Sequence, residues 1–316
     1  MRLRRWPRLL IGVLMGGMTW AVWAQAPAPT PPPAEEPPTP LVRATAPVTI
    51  DGKLDEPCWQ KTTAARVDYI MGRKEMTFAE QPRMAVKYAW DPDYLYIAYE
   101  TFERNLSARG TGQQQGPKDN RREGAEIWLD AGQPQVDVVE FFISFGSRNF
   151  LWEIHHNALN QFNDVWCIVS DPKWELARST MAGRWGIYFA HHEYIEDDPG
   201  TKLASAVQLK PRADGKPSTV NQPGDEDTGY TAEIRLPWGG IGVDKNRELT
   251  HVEDSPDGKR KITVHDHWKV AGMPLAILAV HQDGDDKERY THSSPKVRGN
   301  WFHMNVENYP RFVCTE

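Results

Sequence analysis

The sequence predicts an all-β protein, an antiparallel β-sandwich of jelly-roll or immunoglobulin-like type. Three observations predict it. From Val42 onward, short runs alternate apolar and polar residues with a period of two. Clusters of Gly, Pro, Asp and Asn punctuate those runs. Strand-like and helix-like segments do not alternate, and no internal repeat is visible. The 316 residues are 40% hydrophobic and 25% charged, enough apolar material for a core and too little charge for a disordered polyelectrolyte. The formal net charge of −6 argues against a nucleic-acid binder, which needs a basic face to displace counterions.

Residues 1–24 read as a secretory signal peptide. Arg2, Arg4, Arg5 and Arg8 open it, an apolar run spans residues 9–23, and the small residues Ala24 and Ala26 close it. An uncleaved membrane anchor is the alternative, but the run is short and broken by Gly16, Gly17 and Thr19. Cleavage would leave a secreted, periplasmic or cell-surface protein with no membrane span in its mature form. Residues 25–41 read as a Pro-rich linker, with eight prolines between residues 27 and 40 favouring extended polyproline II. The domain is then expected over residues 42–316.

Its elements follow in order. Residues 48–52 (VTIDG) predict a short strand ending in a turn, and residues 55–59 (DEPCW) a single helical turn. Residues 84–89 (MAVKYA) and 94–102 (YLYIAYETF) predict a hairpin across Asp91-Pro92-Asp93. Residues 125–130 (AEIWLD) alternate clearly. Residues 138–145 and 150–154 predict a second hairpin, and residues 184–190, 203–209, 230–236 and 274–280 predict further strands. The polar stretches 104–124, 212–227 and 245–261 read as surface loops. Cys58, Cys167 and Cys314 are an odd set, so at least one thiol is left unpaired, and the absence of Cys-x-x-Cys removes the usual thiol-redox and structural-zinc signatures.

Five segments in this order resemble the family 9 carbohydrate-binding module: VTIDGKLDEPCW, VKYAWDPDYLYIAYE, EGAEIWLD, DEDTGYTAEIRLPWGGIG and GNWFHMNVENYPRF. The resemblance spans roughly residues 44–314, with an extended middle between Asn157 and Lys202. It implies a sandwich that binds an oligo- or polysaccharide without chemistry, in the context of polysaccharide breakdown. Aromatic rings would stack on a pyranose while carboxylates and amides take its hydroxyls. By this resemblance Trp301, beside Asn300, supplies one stacking face, and Glu126 holds hydroxyls. In AEIWLD the apolar set Ala125, Ile127 and Leu129 must face the core, which turns Glu126, Trp128 and Asp130 outward. Two positions depart from the family. Asn120 stands where a second stacking Trp is expected, and Phe142 stands in place of a hydroxyl-binding Arg. Phe142 is then a candidate stacking ring. Trp59, Trp90 and Trp238 are expected in the core.

Other residues open other readings. His155-His156, His191-His192 and His265-Asp266-His267 invite a metal, but adjacent strand residues point to opposite faces. The acidic runs Asp225-Glu226-Asp227 and 283–286 suit calcium, which the resemblance also implies as a structural ion. A haem-binding electron-transfer module is an alternative, with Met84, Met273, His281 or Met304 as axial ligands. A surface or scaffold domain with a lost sugar site is a second alternative. A hydrolase is a third, but no Gly-x-Ser-x-Gly elbow, phosphate loop or His-Glu-x-x-His is present, and no carboxylate pair stands out.

Overall fold

The computed structural model describes residues 36–71, 82–108, 136–144, 150–169, 187–191, 203–238, 249–254, 261–266, 270–284, 290–297 and 306–316. Pro37–Glu316 forms one compact unit. Its strands are β1 (Thr39–Arg43), β2 (Ala65–Val67), β3 (Tyr69–Ile70), β4 (Met84–Trp90), β5 (Tyr94–Thr101), β6 (Val138–Ser144), β7 (Phe150–His156) and β8 (Phe162–Val169). They continue as β9 (Ile187–His191), β10 (Ala204–Leu209), β11 (Tyr230–Pro237), β12 (Leu249–Asp254), β13 (Lys261–Asp266), β14 (Pro274–Gln282), β15 (Tyr290–His292) and β16 (Arg311–Cys314). One short helix, α1 (Pro57–Lys61), starts with proline at its first turn, where the missing N–H breaks no helical bond.

The strands pair in the order β10-β11-β5-β4-β1-β16-β14-β6-β7-β8-β9, so β1 is the seam between two halves. Its first part pairs with β16 (Thr39↔Phe312, Leu41↔Cys314) and its second with β4 (Val42↔Ala89, Arg43↔Trp90). The halves fold over one another around a shared core. Met84, Val86, Tyr88 and Trp90 of β4 and Leu95, Ile97 and Tyr99 of β5 lie in the same cluster as Phe141 and Ile143 of β6, Trp152 and Ile154 of β7, and Ile277 of β14. Ring contacts cross the layers, Tyr88 to Phe312 at 5.0 Å and Tyr99 to Phe141 at 5.6 Å. The expected sandwich is present.

Four expectations need correction. Both pairings of β1 are parallel, so the architecture is mixed and not purely antiparallel. β1 also begins inside the segment assigned to the linker. Pro40 is tolerated there because each half of β1 pairs on one side only, and the missing N–H can face the open side. Residues 48–52 form no strand; they run as an extended segment into a turn at Asp51-Gly52. The stretch 245–261, read as a loop, holds β12 and the first residue of β13, a separate two-stranded ladder; in the extended middle, β8 is not expected, while β9 falls on the strand expected over 184–190.

The turn at Gly52 shows why a segment with strand-like composition does not join a sheet. Glu233 on β11 points away from the core and is buried. Its carboxylate accepts the N–H groups of Asp51 (3.0 Å) and Gly52 (2.9 Å) and the indole N–H of Trp59 (2.8 Å). Gly52 sits at φ +82, and a Cβ there would lie 2.9 Å from the backbone of Val207 and Gln208. The first resembling segment is thus clamped across the outer face of β11, with Trp59, Cys58, Tyr96 and Ala98 forming a second apolar cluster.

Candidate ligand-binding face and acidic cluster

The alternation that faces Val139, Phe141 and Ile143 of β6 into the core turns Val138, Glu140 and Phe142 to the outer face of the second half. The neighbouring strands do the same. Glu153 and His155 of β7 lie opposite Phe142 and Glu140, and Leu278, Val280 and Gln282 come from β14. Along this face an apolar patch adjoins a polar one.

The polar patch is buried, with Glu140, Glu153, His155 and Gln282 each no more than 6% exposed. His155 Nε2 lies 3.0 Å from Glu153 Oε1 and 3.5 Å from Glu140 Oε1. The Gln282 amide donates to Glu140 Oε1. Glu140 Oε2 and His155 Nδ1 have no hydrogen-bond partner. Burial pushes the Glu140 carboxyl up to about 7, and His155 and Gln282 only partly oppose that. Burial alone would lower the His155 pKa; Glu153 and Glu140 outweigh it and hold His155 above its ordinary value. The set offers a carboxylate oxygen and a ring nitrogen to a polar partner, chemistry suited to hydroxyl groups.

Phe142 must be corrected. It is 2% exposed and packs with Leu278, Val280, Val297, Val306 and Tyr309, so its ring is core material and not a stacking platform. Trp301, Asn300, Glu126, Trp128 and Asn120 lie outside the described residues. Trp59, Trp90 and Trp238 are buried as expected, and their indole N–H groups donate to Glu233, Leu41 O and Asp91 O. Met84 and Met273 fill apolar core positions, His281 is buried, and Met304 lies outside the described residues. Cys58 and Cys314 are buried free thiols, and burial raises the pKa of both.

A second concentration of polar groups sits where three strand ends meet. Glu103 follows β5, Asp137 precedes β6 and Asp283 follows β14. All three are buried, and their ligand oxygens lie within 4.8 Å of one another. Asp137 accepts Ser107 N–H at 2.7 Å and Gly284 N–H at 2.9 Å, while Glu103 Oε1 accepts Arg104 N–H at 2.8 Å. Arg83 Nη1 is 3.5 Å from Asp283. Burial drives the Glu103 carboxyl up to about 9, with Asp283 and Asp137 adding to the shift, and drives Asp137 up to about 7. The other acidic run is differently employed. Asp227 accepts the N–H groups of Leu106 (3.0 Å) and Thr219 (2.8 Å), and Asp225 pairs with Arg212, so these side chains fix the 212–227 loop.

No family profile matches the chain, and no curated protein matches it. Among solved structures it is similar to a family 9 carbohydrate-binding module from Caldicellulosiruptor kristjanssonii in complex with cellotriose, at 13% identity and a TM-score of 0.43, over 88% of this chain and 93% of that one. The same module in complex with glucose gives 12% identity and a TM-score of 0.42, over 87% of this chain and 94% of that one. A candidate carbohydrate-binding protein from Bacteroides uniformis gives 13% identity and a TM-score of 0.49, over 87% and 97%. No helix among the described residues is long and apolar enough to cross a membrane.

The sequence singles out His155 and Asp283, but it does not show the partners that each meets in the polar patch and the acidic cluster. Glu140 sits in VVEFFIS, where one acid among apolar residues gives no pattern, and nothing in sequence links Glu103, Asp137 and Asp283.

Proposed function

We propose that this chain is a non-catalytic carbohydrate-binding domain, exported through residues 1–24 and held off by its Pro-rich segment, that serves polysaccharide breakdown by attachment. The observation that carries the reading is the buried Glu140–Glu153–His155–Gln282 patch on an outer sheet face, with Glu140 Oε2 and His155 Nδ1 unpartnered. Unpaired buried polar atoms cost roughly 1–3 kcal/mol each, so a face that keeps them is better suited to a hydroxyl-bearing ligand than to a core. The patch lies on the face where the resemblance puts sugar recognition, next to the position at which Phe142 replaces Arg. In this reading the hydroxyl-holding role passes from residue 142 to Glu140 and His155. Trp301 stacks on the ring, while Glu126, Asn300, Trp128 and Asn120 complete the polar rim. Binding is weak and reversible, because a hydroxyl exchanges water for protein with little net gain.

Calorimetry of the mature chain with soluble gluco- and xylo-oligosaccharides, alongside a depletion assay on insoluble polysaccharide, tests the reading. Saturable binding is expected. Trp301→Ala should weaken it at least tenfold with an unchanged melting temperature, and no reducing sugar should be released. A blank against all these sugars, or a Trp301→Ala variant that binds like the parent, overturns it.

A further inference from the structure

We propose that the buried polar patch selects sugars bearing a free amine, taking the ammonium group of a glucosamine-type residue on the Glu140 carboxylate and an oxygen of the same ligand on His155. This deepens the reading of the patch as a sugar-contacting face, and rests on it. Two carboxylates, Glu140 and Glu153, flank one imidazole, His155, on the neighbouring strands β6 and β7. One imidazolium balances only one of the two acids. Among the described residues His155 is the only ion-pair partner of Glu140, at 3.5 Å, and it sits closer to Glu153, at 3.0 Å. Gln282 donates to Glu140 Oε1 but brings no charge. The other oxygen, Oε2, is buried without a hydrogen-bond partner, in a residue 4% exposed.

This imbalance decides the charge of the ligand. A neutral hydroxyl offers Oε2 one donor and leaves the excess negative charge in place. An ammonium group offers up to three donors and cancels that charge. The difference is large here because water screens little inside a buried patch, where a lone carboxylate is costly. Burial pushes the Glu140 carboxyl up to about 7, so the empty patch satisfies itself partly with a proton that a cationic ligand displaces. The same count disfavours an acidic sugar, which would set a third carboxylate beside two.

His155 supplies the second half of the recognition. Glu153 and Glu140 favour its charged form, in which both ring nitrogens donate. Nε2 is the nitrogen next to the two acids, so Nδ1, buried with no partner, needs an acceptor oxygen. A sugar hydroxyl or ring oxygen provides one, which a simple alkylammonium ion lacks. The two unmet groups together call for a cation and an oxygen acceptor in one molecule, and a deacetylated amino sugar carries both.

Calorimetry of the mature chain near neutral pH compares oligomers of glucosamine, N-acetylglucosamine and glucose of equal length. Glucosamine oligomers should bind at least tenfold more tightly than the other two. The preference should persist at high salt, which removes the diffuse attraction of a polycation to an acidic protein. The N-acetylated oligomers take the charge from the ligand and leave the protein untouched; Glu140→Gln takes it from the protein. In that variant, shown to be folded by a cooperative melt, the glucosamine-to-glucose affinity ratio should fall to within about twofold of one. Equal affinities for glucosamine and glucose oligomers in the parent overturn the inference and leave the sugar-binding reading standing. A blank with all three overturns both. A glucosamine preference that salt abolishes, or that survives in Glu140→Gln, also overturns the inference, since the amine is then attracted elsewhere.

Discussion

At the scale of single residues, polar groups inside this sandwich are matched to particular partners, and His156 shows the consequence for pH. It faces the core from β7. Asn160 Oδ1 lies 3.0 Å from Nε2, so Nε2 carries the proton and Nδ1 accepts the Tyr99 hydroxyl. Tyr230 lies beyond, its hydroxyl 3.5 Å from that of Tyr99. The groups facing the ring are thus neutral. Burial pushes its pKa down to about 4 from 6.5. The unfolded chain therefore binds a proton at His156 between pH 6.5 and 4 while the folded chain does not. Stability from this residue is fully present above pH 6.5 and is lost as pH falls toward 4, by an amount on the order of 3 kcal/mol. Urea unfolding of the parent and of His156→Gln at pH 7.5 and 4.5 should show the parent losing more stability than the variant; His281, lowered to about 4 by burial as well, and the buried carboxyls contribute equally to both slopes. An equal slope in parent and variant would show that His156 does not carry the effect.

At the scale of elements, one side of a strand builds the core and the other builds whatever covers it, and β6 is the clearest case. If Phe142 were an exposed ring, its truncation would change stability by about 0.5 kcal/mol or less. Packed against Leu278, Val280, Val306 and Tyr309, Phe142→Ala instead leaves a cavity and should cost about 3–5 kcal/mol, read as a shift in urea midpoint. The same duality decides what was legible in the sequence. β4 and β5 announce themselves because alternation and the Asp91-Pro92-Asp93 turn agree. β12 is hidden because its residues, LTHVED, have the composition of a loop. Residues 48–52 mislead in the opposite sense: their strand-like composition is overridden by three N–H groups converging on Glu233. On the outer face, pattern shows that Glu140 and Phe142 share a side, but not whether a further layer buries that side. Of the acidic cluster only Asp283 stands out, in its acidic run; its convergence with Glu103 and Asp137 is invisible because the three strand ends meet only through the tertiary fold.

At the scale of the whole molecule, the two halves are joined through β1, and the prolines that gave it the look of a linker conceal its role. Leu41 is 3% exposed, and its carbonyl accepts the Trp90 indole N–H at 3.3 Å and the Thr315 hydroxyl at 3.3 Å. Removing β1 therefore does more than shorten a tail. It withdraws a buried leucine, worth about 2 kcal/mol of apolar transfer, and leaves a buried indole N–H unpaired at about 1–3 kcal/mol more. It also strips the partner from one side of β16 and from the Ala89–Trp90 end of β4, which β2 does not cover, leaving open edges there. A chain beginning at residue 36 should unfold in one cooperative transition. One beginning at residue 44 should be less stable by at least about 3 kcal/mol in guanidinium and should self-associate through the new edges, seen as a concentration-dependent rise in sedimentation coefficient. Equal midpoints and a monomeric short chain would show that core packing between the halves suffices without the seam. A destabilised but monomeric chain would show that the exposed edges are protected by twist or side chains, leaving β1 its packing role alone.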